Sequence, residues 1–342
     1  MRTITGRIDV ARDGAPHTVL EFSTPPTITM VSSAEICLVM QGEFLHNPSV
    51  NYLTDELIPI CIIDGEEHQM GVFVAGTVET RTANGTKIDV VEAYDRTLKV
   101  KQTRIEKRLF IAKGTEYITI IKELLLLSGI SVYVEDENKD VLQTDREEWE
   151  IGTDHLAIIN ELLTEINFYP LWFDLNGYAH LERITNLADA PIDHTYRNDE
   201  ASIITDTSAS TLDIYDAPNV FIAIYNNPDN DEVWTATAVN DQAFSSLSTI
   251  RRGRRIVAEP IQVENIASKE ALQTFVDNIR NESLLSTEVI NFSTAINPRH
   301  QINDVVALDN GEIEGIYEEI GWSITMGPGR LMQHTARRII II

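Results

Sequence analysis

One pattern of apolar runs and turn dipeptides occurs twice in this chain of 342 residues. The first copy spans residues 57–94, where short runs rich in β-branched residues are separated by the dipeptides Asp64-Gly65 and Asn84-Gly85. Such dipeptides between apolar runs are typical of two-residue β-hairpin loops. The stretch therefore predicts a meander of consecutive antiparallel strands.

The second copy spans residues 304–340. In the first copy Phe73 precedes Gly85 by 12 residues, and in the second Tyr317 precedes Gly329 by the same 12 residues. Other intervals differ by a residue or two, so the two patterns are similar but not identical. Because a true internal repeat dominates a fold, two related β-domains are the leading prediction. The turn signals of the second copy are Asn310-Gly311 and Gly327-Pro328-Gly329.

After the first meander, apolar residues recur at the spacing of a helix and no longer alternate as they do in a strand. One helix is predicted with Thr115 as N-cap and Gly129 as C-terminal cap, and another with Thr153 or Asp154 as N-cap. A hairpin follows, with its turn at Asn176-Gly177. These elements predict a small αβ insertion with its own core. Its two apolar helix stripes are Tyr117, Ile120, Ile121, Leu124, Leu125 and Leu156, Ile159, Leu162, Leu163, Ile166.

Two segments are predicted to be irregular. Residues 24–27 contain two consecutive prolines and should break the path between strands at residues 4–10 and 36–40. Residues 134–140 are strongly acidic, which predicts a loop that is too polar to pack.

The fold class predicted from these elements is α+β and mainly antiparallel β. Strands at residues 219–225 and 233–238 and a helix from Ser268 precede the second meander and belong to the second β-domain. The predicted boundaries are 1–96 for the first β-domain, 97–185 for the αβ insertion, 186–212 for a connector and 213–342 for the second β-domain.

The charge of the chain is strongly negative. It has 27 Lys and Arg against 53 Asp and Glu, a net charge of −26. This argues against a protein that gains affinity for nucleic acid through counterion release, since that mechanism needs lysine and arginine. The acids either form an ordinary solvated surface or line a passage from which DNA is repelled.

Cysteine content and hydropathy favour a soluble protein of a reducing compartment. Cys37 and Cys61 each lie in an apolar run, which predicts buried reduced thiols. The N-terminus lacks the apolar core of a signal peptide, and no stretch approaches the roughly 18 apolar residues of a membrane helix. We therefore expect no membrane insertion and no export by a cleaved signal.

Motifs that carry chemistry are missing from the sequence, including nucleophile elbows, phosphate-binding loops and zinc-protease motifs. The run from Glu147 to Glu150 could place a carboxylate beside Trp149, as glycosidases do, but a charged strand edge that inserts Trp149 into the small core is the preferred interpretation. The histidines lie singly, without helical metal-site spacing, so no metal, cofactor or catalytic residue is predicted. They are His17, His46, His68, His155, His180, His194, His300 and His334.

The sharpest local anomaly is a cluster of four arginines, Arg251, Arg252, Arg254 and Arg255. Guanidinium groups this close repel one another, so acidic partners are expected nearby. Either internal carboxylates neutralise an exposed loop, or the arginines contact another subunit or a partner; a phosphate or DNA contact is the third alternative. We take the cluster as the candidate contact site.

Several short motifs, in order along nearly the whole chain, resemble the tail hub proteins of bacteriophages and phage-derived contractile particles. They are 91–99, 110–115, the helix end at 128–130, 165–167, 171–174, 177–182, 217–220, 253–255, 297–298 and 304–306.

The resemblance implies two barrel-like tube domains in one chain and a homotrimer that places six similar domains in a ring. Such a hub would join a hexameric tail tube to a trimeric spike and form a central channel. The implied partners are further copies of the chain, the tail tube protein and the spike protein, with the tape-measure protein and baseplate wedge as additional partners. DNA would pass through transiently without specific binding.

The implied location is a virion tail or the baseplate of a phage-like particle, made in the bacterial cytoplasm. A DNA-carrying phage and a DNA-free bacteriocin both remain open, as do contractile and non-contractile tails. Some hubs carry a fused lysozyme or peptidase domain, but no catalytic residues transfer to this chain. The alternatives to a non-enzymatic hub are a cell-wall hydrolase associated with the tail and a receptor- or carbohydrate-binding β protein.

Overall fold

The computed structural model describes residues 3–187, 190–197, 217–227, 232–243, 245–284, 289–309, 311 and 313–339. Three features predicted from the sequence therefore lie outside the described residues: the turn position Asn310, the strand end at Ile340, and residues 198–212 of the connector.

Nineteen strands and five helices occupy the described ranges. The strands are β1 Ile4–Arg12, β2 Ala15–Leu20, β3 Phe22–Val31, β4 Leu38–Leu45, β5 Glu56–Ile63, β6 Glu66–Gln69, β7 Phe73–Ala83, β8 Thr86–Asp95, β9 Tyr133–Glu135, β10 Trp172–Phe173, β11 Ala179–Leu181, β12 His194–Arg197, β13 Val220–Asn226, β14 Val233–Val239, β15 Ile261–Val263, β16 Val289–Ala295, β17 Val305–Asp309, β18 Glu314–Thr325 and β19 Leu331–Ile339. The helices are α1 Thr97–Gln102, α2 Tyr117–Leu127, α3 His155–Glu165, α4 Thr249–Arg252 and α5 Lys269–Leu284.

The hairpin turns of the first meander form where the sequence predicts them. Asp64 and Gly65 have φ values of 52° and 91°, and Asn84 and Gly85 have 51° and 82°. Positive φ at both central positions defines the type I′ turn, whose twist matches that of the flanking strands. These turns join β5 to β6 and β7 to β8.

The two meanders share one strand order. In the first the order is β4-β8-β7-β5, and in the second it is β16-β19-β18-β17, with every pair antiparallel. They differ at the next strand, because β1 lies antiparallel to β5 whereas β12 lies parallel to β17. β18 also pairs with β3, so both meanders belong to one 13-stranded sheet.

The predicted α+β, mainly antiparallel class is confirmed. No sheet closes into a complete barrel among the strands that the structure describes. A large buried core lies under this sheet, and residues of both meanders contribute to it, among them Phe44, Phe73, Trp322 and Met332.

The predicted break at residues 24–27 is wrong, because β3 runs straight through Pro25 and Pro26. Its pairing with β4 shifts register between Phe22 and Thr24 and again between Thr24 and Thr27. Prolines are tolerated at such irregularities, because no ladder hydrogen bond from their missing N–H is needed there.

The two predicted helices of the insertion are α2 and α3. Asp154 caps α3 by accepting a hydrogen bond from the Ala157 amide at 2.9 Å, and Gly129 follows α2 with a φ of 78°. α2 starts after Glu116, not at the predicted Thr115 cap. A buried core between Val100 and Leu181 unites the helices with β10 and β11 and includes Ala267.

Two more differences concern short elements that the sequence pattern does not reveal. Residues 133–135, at the start of the acidic segment, form β9 and pair in parallel with β11. Residues 194–197 of the predicted connector form β12. Both strands are held by backbone pairing, so polar side chains do not prevent them.

A separate three-stranded sheet, in the order β14-β13-β15, packs against α5. The predicted helix from Ser268 is α5, and the Ser268 side chain accepts a hydrogen bond from the Ala271 amide at 3.0 Å. No helix in the described ranges is long and apolar enough to cross a membrane.

Candidate assembly site

The arginine cluster lies at the end of the short helix α4, between β14 and β15. The Ser248 side chain caps this helix by accepting a hydrogen bond from the Arg251 amide at 3.1 Å. Gly253 ends it with a φ of 64°, a left-handed conformation that favours glycine. The turn at Gly253 therefore separates the four arginines into two pairs.

The first pair is held by backbone carbonyl groups. Arg251 donates from Nε to the Ala243 carbonyl at 2.7 Å, and Arg252 donates from Nη1 to the Ala217 carbonyl at 2.5 Å. Carbonyl groups at a helix end and in nearby loops accept readily from arginine. Arg251 and Arg252 thus help to fix the local loops.

The second pair is different. Arg254 and Arg255 are exposed, and no carboxylate pairs with either side chain among the residues that the structure describes. Their backbone is nevertheless fixed, since the Asn219 side chain donates to the Arg254 carbonyl at 3.1 Å. Two positive charges therefore stand on an ordered loop of a strongly acidic chain.

The carboxylates around Trp149 have partners within the insertion. Trp149 is buried and donates from Nε1 to Oε2 of Glu161 at 2.8 Å, and the Arg146 guanidinium lies 4.7 Å from its ring centroid. Glu148 pairs with Arg146. The predicted insertion of Trp149 into the small core is confirmed, but the predicted strand edge is wrong, because residues 147–150 form no strand.

The histidines that lie singly in the sequence do not all lie singly in the fold. His194, His300 and His334 come together with Asp304 and Glu319 near the second meander. A search for helical spacing misses this cluster, because its members come from three strands and a loop. A signal that could have drawn attention to it is the carboxylate of Glu319 within a predicted strand of the second meander, two residues after Tyr317 and so on the same face.

Comparison with known proteins was carried out at the level of sequence and of structure. No protein-family model matches the sequence, and no curated protein matches it. Solved structures do match. A tail protein from Neisseria meningitidis MC58 superimposes with a TM-score of 0.68 over 98% of this chain and 97% of that chain, at 13% sequence identity.

Two further matches agree. The 43 kDa tail protein of prophage MuSo2 from Shewanella oneidensis gives a TM-score of 0.67 at 12% identity and covers 98% of both chains. The chain has the fold of phage tail proteins. The E. coli protein c3393, described as a type VI secretion component structurally similar to the T4 tail proteins gp27 and gp5, gives 0.55 at 8% identity over 96% of this chain and 76% of that one.

The resemblance to phage tail proteins inferred from the sequence is thereby confirmed at the level of fold. In this tail-protein fold the arginine cluster belongs to the unit formed by β13, β14, β15 and α5, outside the 13-stranded sheet. The histidine cluster belongs to the second meander within that sheet.

Proposed function

We propose that this chain is a structural hub of a phage-like tail or baseplate, joining a hexameric tail tube to a trimeric spike around a central channel. The observation that carries the proposal is the match over 98% of this chain and 97% of the Neisseria tail protein. A match from end to end supports a common architecture, not a shared small motif.

The repeated strand order supports the adaptor role. A chain with two similar four-stranded units, β4-β8-β7-β5 and β16-β19-β18-β17, offers two similar surfaces to its neighbours. Three such chains would present six similar units on one face while keeping true threefold symmetry elsewhere. The proposed domains are those expected from the sequence, 1–96, 97–185, 186–212 and 213–342.

The net charge of −26 supports a channel through which DNA slides. Negative walls repel the phosphate backbone and prevent adhesion, whereas a basic lining would hold it. The proposed partners are two further copies of the chain, the tail tube protein and the spike protein, with the tape-measure protein and baseplate wedge as additional partners.

Arg254 and Arg255 are proposed as a contact with a neighbouring subunit or partner. Exposed guanidinium groups on an ordered loop can pair with carboxylates of another molecule, and this chain supplies many. Replacing both by Glu should prevent assembly and leave the monomer folded. Arg251 and Arg252 are unsuitable for this test, because their bonds to backbone carbonyls fix the fold.

The matched control reverses two exposed lysines elsewhere, Lys107 and Lys113, and changes the net charge equally. The contact proposal predicts assembly by Lys107→Glu/Lys113→Glu and failure of Arg254→Glu/Arg255→Glu. Equal assembly of the two double variants would contradict it, and so would a loss of assembly in both.

A hydrolase role is not favoured. The carboxylates near Trp149 are committed to Arg146 and to the indole N–H, an arrangement that stabilises the insertion. We therefore expect the purified chain to release no fragments from bacterial cell walls, and Glu148→Gln to leave that result unchanged.

The hub proposal is tested by native mass spectrometry of the chain at micromolar concentration, alone and with its spike partner. A hub should appear at three times 38.4 kDa. A strictly monomeric protein at every concentration, with the spike present, would argue for the receptor- or carbohydrate-binding alternative.

A further inference from the structure

Five titratable side chains that the hub role does not use converge at the second meander. They are His194, Asp304, His300, Glu319 and His334. The tightest subset is His300, Glu319 and His334, which are all buried and whose ligand atoms all lie within 4.8 Å of one another. These three come from the loop before β17, from β18 and from β19.

A β-bulge points Glu319 into this site. β18 and β19 shift register between Glu319 and Gly321, so Ile320 is extra on its strand. Glu319 faces Ala336, and His334, two residues away on the same face of β19, lies diagonal to it. Bulges that aim one side chain are typical of functional positions.

Both oxygens of Glu319 contact a ring nitrogen. Oε1 lies against Nδ1 of His334, and Oε2 lies against Nδ1 of His300. Each contact joins a carboxylate oxygen to a ring nitrogen, and both kinds of atom can serve as metal ligands. The Glu319 carboxylate therefore lies between the two rings, with all three groups buried.

The far nitrogens of the two rings are fixed by hydroxyl groups. Thr294 donates its proton to the Ala295 carbonyl at 2.9 Å, so its oxygen accepts from Nε2 of His334 at 2.8 Å. Nε2 of His300 lies 2.6 Å from the Tyr196 hydroxyl. In a ring whose Nε2 carries the proton, Nδ1 is the atom that would bind a metal ion.

We propose that His300, Glu319 and His334 bind one divalent transition-metal ion, with zinc as the best fit. Two imidazole nitrogens and a carboxylate form a ligand set that zinc accepts. Asp304 is the available fourth donor, since its Oδ2 lies 3.7 Å from Nδ1 of His300. Because the cluster is closed off from solvent, the ion would be structural.

The surroundings agree with this assignment. Metal-bound histidines characteristically give their second ring nitrogen to an oxygen partner, and here each Nε2 lies within hydrogen-bond distance of a hydroxyl oxygen. His194 donates from Nε2 to Oδ2 of Asp304 at 3.0 Å and would orient that carboxylate. Burial lowers the pKa of His300, which favours the neutral ring that a metal requires.

The competing arrangement is a network held by protons alone, with His334 as an imidazolium beside the Glu319 carboxylate. Both arrangements satisfy the contacts of Glu319, but only one of them binds an ion. Metal content therefore separates them directly.

The experiment uses the untagged full-length chain. After chelator treatment and dialysis, zinc alone is titrated back, and cobalt(II) is added to a second sample. The proposal predicts one zinc per chain, a rise in Tm of roughly 5–10 °C on loading, and the intense visible absorption of four-coordinate cobalt. A folded chain that takes up neither ion would overturn the metal site.

Variants locate the ion. Glu319→Gln and His334→Gln should weaken zinc binding by about 100-fold or more, because loss of an outer partner alone costs about 10–100-fold. His17→Gln changes an exposed histidine far along the chain and should bind zinc normally. Undiminished binding in both site variants would refute the assignment.

If the site variants do not fold, X-ray absorption spectroscopy of the zinc-loaded protein with its natural sequence identifies the ligands of the ion. The expected shell has two imidazole nitrogens and carboxylate oxygen at about 2.0–2.2 Å. A shell containing sulfur, or six oxygens, would place the ion elsewhere and contradict the proposal.

Discussion

Arg146 and Glu165 form a buried ion pair in the core of the insertion, with Nη1 of the guanidinium 2.8 Å and 2.9 Å from the two carboxylate oxygens. The Tyr117 hydroxyl donates to the same carboxylate at 2.7 Å. Arg146 also pairs with Glu148 and Glu161, whose side chains are far more exposed than that of Glu165. The pair therefore makes the stability of the insertion sensitive to either residue.

The first prediction concerns this pair. Glu165→Ala should lower the free energy of unfolding by about 1–3 kcal/mol, because it leaves the buried Tyr117 hydroxyl without its acceptor and Arg146 with only the more exposed Glu148 and Glu161. Chemical denaturation followed by fluorescence measures the change. The control is the exposed pair of Lys139 and Glu137, 2.7 Å apart, where Glu137→Ala should cost at most about 0.5 kcal/mol. Similar losses in the two variants would mean that burial is not the cause.

A second prediction compares two glycines with similar backbone angles. Gly85 has a φ of 82° with open space around its Cα, whereas a Cβ on Gly177, at φ 81°, would lie 2.7 Å from Cγ2 of Val72. Gly85→Ala should cost about 1 kcal/mol from backbone strain alone. Gly177→Ala should cost clearly more, because the insertion would also be pushed away from the first meander. Equal shifts of the denaturation midpoint in the Gly85→Ala and Gly177→Ala variants would contradict this prediction.

The third prediction is a pH dependence. Burial alone would lower the pKa of His180, but two carboxylates outweigh it and raise the pKa to about 9: Asp174, 3.5 Å from Nε2, and Glu182, hydrogen-bonded to Nδ1 at 2.7 Å. Because the folded value lies above the ordinary 6.5, the charged ring stabilises the fold fully below pH 6.5, and this contribution is lost as the pH rises through about 9.

His180→Gln should therefore flatten the fall in stability between pH 6.5 and pH 9, by on the order of 1–2 kcal/mol after solvent screening. Thermal unfolding across this range measures the slope. His17→Gln, at an exposed site, should keep the slope of the natural sequence. A slope that His180→Gln leaves intact would assign the dependence to another group.

The fourth prediction concerns the thiols. Burial, helped by the negative charge of Asp95, raises the pKa of Cys37 to about 12, and Cys61 is also buried. The thiolate is the reactive form, so both cysteines should resist a disulfide reagent at pH 8 until the chain unfolds. Rapid labelling of the native protein would show that the first β-domain opens locally.

Local features of this fold were predictable because they depend on neighbouring residues. Positive φ at Asn84-Gly85 follows from the side chains present, and the Asp154 cap follows from one short polar residue before an apolar stripe. Strand β3 was not predictable, since it rests on register shifts with β4 that make room for Pro25 and Pro26.

The arginine cluster and the histidine cluster also differ in how much of each could be predicted from the sequence. The run of arginines at residues 251–255 is visible in the sequence. Only the fold shows that Arg251 and Arg252 are bound to carbonyl groups, whereas Arg254 and Arg255 are exposed and have no carboxylate partner among the described residues. The histidine cluster depends on strand register and on a bulge, which linear spacing does not encode.

The most direct test of the hub proposal is electron microscopy of the isolated oligomer. Class averages should show a ring of three chains with an axial hole, with six similar lobes on one face and threefold symmetry on the other. Single chains, or a closed particle with no axial hole, would contradict the proposal that this tail-protein fold forms a channel between tube and spike.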